Sequence, residues 1–199
     1  MKNRILSCVL LLAATWSISC RPDVGSPDEV AVLETSYGRI VIEFLPDAAP
    51  NHVATFKALF RSGFFDETKI HQLARDQGKP IAIQGGDPNS IKGEPATWGL
   101  GVPGQKTIRA EISPNLTHDR GSVSASHKPK EPDTAASQFF ICLADEPRFD
   151  GVYTIFGRII EGMNVADTIG RAPVVRGTDR PVDPVVINRA YLASRGEIK

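Results

Sequence analysis

Cysteine is scarce and net charge is nil. Of three cysteines, Cys8 and Cys20 fall in the first twenty residues, which leaves Cys142 alone in an apolar stretch. A lone thiol has no disulfide partner, and no histidine stands at catalytic spacing from it, so it reads as core. Lys plus Arg and Asp plus Glu both number 23, so bulk charge gives no attraction to nucleic acid. The four histidines (His52, His71, His118, His127) are scattered and make no metal-ligand spacing. Gly85-Gly86 is followed by no Lys-Ser/Thr and no helix pattern, which excludes a phosphate loop. Repeats and low-complexity tracts are missing, and the reading calls for no metal and no cofactor. The one long apolar run, Ile5 to Ile18, is too short for a comfortable membrane span.

What is present suits a single β-rich domain. A chain of 199 residues with 41% apolar content can bury one real core. Its 17 Gly and 15 Pro imply many turns, which favours short strands over a helical bundle. Lys2, Arg4 and the apolar run have the layout of a signal peptide over 1–19. Ser17-Ile18-Ser19-Cys20 resembles the lipobox of bacterial lipoproteins, which makes Cys20 the lipid-modified first residue; Ser17, where Leu is usual, leaves plain cleavage after Ser19 open. Arg21 rather than Asp after that cysteine resembles outer-membrane sorting, so the expected location is periplasmic, with membrane contact through the lipid alone. Residues 20–28, rich in Pro, Gly, Ser and Asp, read as a tether; 29–195 as the domain; 196–199 as a tail. A monomer is the default.

Within the domain, Val30–Thr35 and Arg39–Phe44 read as a hairpin, and Ala49-Pro50-Asn51 opens a helix that Gly63 ends. Val53, Phe56, Leu59 and Phe60 share its apolar face. Lys69–Ala74 and Pro80–Gln84 are strands, and Asn89–Lys106 is a long loop without periodicity. Arg120–Ser126, the stretch ending Phe139–Leu143, Val152–Ile160 and Pro184–Leu192 are further strands; Met163–Ile169 forms a second helix. Many short strands with two helices suggest a barrel or sandwich with helical caps.

Ser137-Gln138-Phe139-Phe140-Ile141 holds an anomaly. Gln138 is an amide beside two phenylalanines, and a buried amide costs roughly 1–3 kcal/mol unless partnered. The plain reading is a core strand whose Gln bonds a neighbouring loop. The sharper one is the floor of a peptide groove, with Phe140 as wall and Gln138 reading backbone. Taken with Ala49-Pro50, Gly63-Phe64-Phe65-Asp66, Gln84-Gly85-Gly86-Asp87-Pro88, Phe149-Asp150-Gly151 and Phe156-Gly157, the stretch resembles the cyclophilin-type peptidyl-prolyl cis-trans isomerases from Val30 to Leu192. The resemblance implies an eight-stranded antiparallel barrel capped by two helices. It also implies binding of proline-containing peptide segments or of unfolded envelope proteins.

Turning an Xaa-Pro bond faces a barrier of about 18–20 kcal/mol and takes tens to hundreds of seconds unaided. A catalyst has to hold the ring, grip the backbone and favour the twisted amide. By resemblance, Gln84 binds substrate backbone, while Ile81, Ala82, Gln138, Phe140, Phe149, Tyr153 and Ser126 form the groove and proline pocket. Where the family has Phe-His-Arg, with the Arg catalytic, this chain has Ile70-His71-Gln72. Gln72 donates but carries no charge, and charge-assisted bonds are roughly twice as strong as neutral ones. A loss of about 2–3 kcal/mol costs roughly 30- to 150-fold in rate. Ile81-Ala82 replaces a usual Phe-Met, which implies a shallower pocket. Arg75 could reach the site if its loop folds back; a solvent-facing loop arginine is the plainer reading. Two functions follow: an isomerase of reduced activity, or a proline-peptide binding module or holdase that has lost useful catalysis.

Overall fold

The computed structural model describes residues 24–198; the signal-peptide and Cys20 expectations lie outside the described residues. Nine antiparallel strands form a nearly closed barrel: β1 (Glu29–Thr35), β2 (Gly38–Phe44), β3 (Lys69–Ile70), β4 (Gln72–Asp76), β5 (Lys79–Gly85), β6 (Ser122–Ala125), β7 (Phe139–Cys142), β8 (Thr154–Glu161) and β9 (Val185–Ser194). Their spatial order is β3-β9-β1-β2-β8-β6-β7-β5-β4. The expected count of eight becomes nine because the single strand expected over 69–74 breaks at His71. Lys69 and Ile70 pair with β9, while Gln72 onward pairs with β5. The first and last strands of the order are therefore one stretch of chain, and its change of partner closes the barrel.

Two helices, α1 (Pro50–Arg61) and α3 (Met163–Gly170), cap the barrel as expected. Val53, Phe56 and Phe60 of α1 are buried, and Phe56 stacks on Phe156 of β8 with ring centroids 4.0 Å apart. Fully burying one such ring is worth about 1.5–3 kcal/mol, so the helix is held by this face. Pro50 suits its first turn, but Ala49 offers no capping side chain. The cap comes from sixty residues downstream: the Glu111 carboxylate accepts from the backbone N–H of Asn51 (3.0 Å) and of His52 (2.9 Å), and from His52 Nδ1 (2.6 Å). Burial alone would raise the Glu111 pKa, yet these bonds bring it below the ordinary value.

Two other stretches differ from the sequence reading. Part of the tether lies against the fold: buried Lys57 donates to the Ser26 carbonyl at 2.7 Å and pairs with Glu29. The loop over 89–106 contains a helical turn, α2 (Asn89–Lys92), and a 3-10 turn at Pro95–Thr97. Its order comes from side-chain bonds rather than periodicity, as the site shows.

Candidate functional site

On one face of the barrel a row of residues crosses four strands in register: Ser124 opposite Phe140, Phe140 opposite Gln84, Gln84 opposite Gln72. The next row runs Cys142, Ala82, Ala74. Strand alternation puts both rows on the same side. Ala82, Phe140 and Cys142 pack there with Ala74, Phe149 and Tyr153. Phe140 meets Tyr153 edge-on at 5.0 Å and Phe149 at 5.5 Å, an arrangement aromatic rings favour. Ala82, small as expected, sits in this apolar patch. Ile81 does not: it is the extra residue where β4–β5 register slips, buried but outside the aromatic cluster. Tyr153 precedes β8 rather than lying within the strand expected over 152–160.

Beside the patch the surface turns polar. Gln84 Nε2 donates to Gln138 Oε1 at 3.0 Å, and Gln138 Nε2 donates to the Gly99 carbonyl at 3.0 Å. Gln138 thus meets both a neighbouring loop and the groove amide. The Ser126 backbone N–H donates to the Gln138 carbonyl at 2.9 Å, which fixes that strand end. Gln72, half-buried, makes no side-chain hydrogen bond among the described residues. A cavity of about 560 Å³ opens here, lined by His71, Gln72, Gln84, the 95–100 segment and Thr178–Arg180.

The loop walling this cavity hangs on one carboxylate. Fully buried Asp87 accepts from the backbone N–H of Asn89 (3.0 Å), Gly99 (2.6 Å) and Gly101 (3.2 Å). Asn89 Nδ2 adds a bond to the Gly101 carbonyl at 2.7 Å. Gly86 before it has φ +85°, and a Cβ there would stand 2.5 Å from the Ser137 carbonyl, so only glycine fits.

These arrangements meet a known pattern over nearly the whole domain. Residues 30–192 match the model of the family described as cyclophilin type peptidyl-prolyl cis-trans isomerase/CLD. The chain belongs to that family. It is 36% identical over 171 residues to peptidyl-prolyl cis-trans isomerase-like 1 of Mus musculus, covering 85% of this chain and 95% of the relative. A cyclophilin type isomerase of Cryptosporidium parvum, solved in the presence of the dipeptide Ala-Pro, superposes with TM-score 0.72 at 30% identity, over 83% of this chain and 99% of that one. A Hirschia baltica cyclophilin shares the fold with TM-score 0.66 at 21% identity, over 87% and 76% of the two chains.

In this cyclophilin two histidines carry more than their scattered positions suggested. His118 is buried behind the patch, its ring nearly parallel to Phe140 at 6.0 Å. Asp150 accepts from its backbone N–H at 2.7 Å and pairs with Nδ1 at 2.8 Å, which holds Asp150 below the ordinary carboxylate range. The Phe149-Asp150 pair thus supplies one ring to the patch and one anchor for the ring behind it. His127, one of the scattered histidines, stacks on Tyr153 at 4.5 Å. Distance along the chain hid both contacts. Burial pushes the His71 imidazole below its usual pKa, which favours the neutral form and makes it a poor proton donor. Burial also pushes the Cys142 thiol up to about 12, so it is no nucleophile. Arg75 neither faces solvent nor reaches the site: its Nη2 donates to the Gly170 and Ala172 carbonyls at 3.2 and 2.7 Å, at the end of α3.

Proposed function

We propose that this chain isomerises Xaa-Pro bonds in exported polypeptides, at a rate limited by the neutral side chain of Gln72. The observation that carries the reading is the registered row Phe140–Gln84–Gln72, an apolar ring site passing directly into amide groups. The proline ring rests on Phe140, Phe149, Tyr153 and Ala82. Gln84, steadied by Gln138, holds the flanking backbone. As the amide twists, conjugation breaks, the nitrogen gains a lone pair, and donors aimed there lower the barrier. No bond is made or broken. Residues 1–19 act as export signal and Cys20 as lipid anchor, which puts a monomeric domain in the periplasm at the outer membrane, among envelope clients. These assignments are supported by the N-terminal sequence.

The second reading, a proline-peptide module or holdase, is favoured by one observation: the Gln84 and Gln138 amides partner each other and Gln72 brings no charge. Exchange NMR on a short Ala-Pro peptide separates the two. The isomerase reading expects acceleration by the protein, and a further rise of about tenfold or more with Gln72→Arg. Absence of acceleration, with binding-induced shifts at Phe140 and Tyr153, would leave only the binding module.

A further inference from the structure

The transition state wants a cation at the polar end of the ring site, and Gln72 has none. Among the residues lining the 560 Å³ cavity beside Gln72 and Gln84, the one permanent cation is Arg180. It lies 108 positions further along the chain, at the neck of a small hairpin. That hairpin is tied across its neck by the Val174–Pro181 bridge and by Val175 N–H donating to the Arg180 carbonyl at 2.8 Å. It is also docked on the open edge of β4, where the Leu73 N–H donates to the Asp179 carbonyl at 2.7 Å. The backbone of Asp179 and Arg180 is therefore fixed beside Gln72. The side chain is not committed: the half-buried Arg180 guanidinium makes no hydrogen bond or ion pair among the described residues. Even Asp179, which lines the same cavity, forms no ion pair with it.

That pattern sets Arg180 apart from the other arginines near the site. Arg75 is bound to the end of α3, and Arg148 pairs with Glu146 at 2.7 Å. A guanidinium left free at a cavity wall, on a pinned backbone, next to an amide where the family has a guanidinium, is a donor awaiting a substrate acceptor. We infer that Arg180 is a catalytic residue of this chain: it reaches over Gln72 to the prolyl amide and supplies, less directly than an arginine at position 72 would, part of the charge-assisted stabilisation that Gln72 cannot. The arginine has moved from a strand to a loop, and its long side chain covers the difference. This inference rests on the isomerase reading.

The test compares five full-length proteins on an uncharged Ala-Pro peptide and on one with an acidic residue beside proline: unmutated, Arg180→Ala, Arg180→Lys, Gln72→Arg, and the Gln72→Arg/Arg180→Ala double variant. Arg180→Ala should lower kcat/KM by about tenfold or more through kcat, with Arg180→Lys retaining part of the rate. In the Gln72→Arg background the same removal should cost little, because the charge is already present. The hairpin bonds of Arg180 are made by its backbone, so the melting temperature should hold. Equal losses in both backgrounds, or a change confined to KM on peptides with an acidic residue beside proline, would overturn the inference and leave Arg180 as a structural or carboxylate-reading residue. Failure of the unmutated protein to accelerate exchange would instead sink the isomerase reading itself. Acceleration that Arg180→Ala leaves intact would sink only the inference.

Discussion

Asp87→Asn removes almost nothing in volume and should unlatch one wall of the site. The Asp87 carboxylate accepts three backbone N–H bonds, at 2.6, 3.0 and 3.2 Å, from Gly99, Asn89 and Gly101. Hydrogen bonds to a charged group are worth about 1.5–3 kcal/mol each in net stability. Asparagine keeps one acceptor oxygen and turns an NH2 group towards donors. If the oxygen stays with Asn89, the two bonds to Gly99 and Gly101 are lost and their partly buried N–H groups face another donor. Two such losses sum to roughly 3–6 kcal/mol, an upper bound because water can reach the exposed Gly99 once the loop lifts.

Local opening spares the barrel part of that cost, so the global effect should be about 2–3 kcal/mol, or very roughly 5–10 °C in melting temperature. The remainder should appear as faster amide exchange at Gly99 and Gly101, with the N–H groups of β1 and β2 unaffected. The Gln138 bond to the Gly99 carbonyl goes with the loop, so KM for Ala-Pro peptides should rise more than kcat falls. A melting temperature within 2 °C of the parent, with exchange at both glycines unchanged, would refute the claim that this carboxylate holds the loop.

Two further outcomes follow from the same geometry. Glu111→Ala should cost about 2 kcal/mol in denaturant unfolding, since it strips the cap from α1 and leaves His52 Nδ1 without its partner, while Glu111→Gln recovers part of the loss; a change under 0.5 kcal/mol would show that α1 needs no cap. On acidification, stability should fall in two stages. Burial lowers the folded pKa values of His52 and His71 from 6.5, so below that pH the unfolded chain takes up protons that the folded one refuses, and ν_U exceeds ν_N. Their contribution is full above pH 6.5 and declines below it; that of Glu111, whose folded pKa is depressed, goes on falling below 4.5. A melting temperature flat or rising from pH 7.5 to 5.5 would contradict the first stage.

Features written in local pattern are legible in the sequence alone. The β1–β2 hairpin and the apolar face of α1 depend on neighbours two to four positions apart, and both form where periodicity placed them. Gln138 stood out because an amide beside two phenylalanines needs a partner, and it has two. What stayed hidden depends on contacts between distant parts of the chain. Lys69–Ala74 reads as one strand because nothing local marks the change of partner at His71. Nothing beside Asp87 in the chain announces its partners at Gly99 and Gly101, which lie twelve and fourteen positions on. Arg75 stands three residues from Gln72 in the chain, yet it is bonded to the far end of α3.

Arg75 and Arg180 differ in how the fold directs them. β4 is a strand, so residues three apart point to opposite faces, and Arg75 leaves the site by the same alternation that aims Gln72 and Ala74 at it. A strand position offers one direction and a short reach; losing its arginine cannot be repaired from the adjacent positions. The open edge of β4 offers another route. Its unpaired backbone groups draw in whichever segment can bond them, and here that segment is the hairpin that includes Thr178–Arg180. Catalysis of bond rotation needs a positive donor at one point in space and asks nothing of the backbone that carries it. The edge which closes the barrel is thereby also the place where a charge can be brought back to the site.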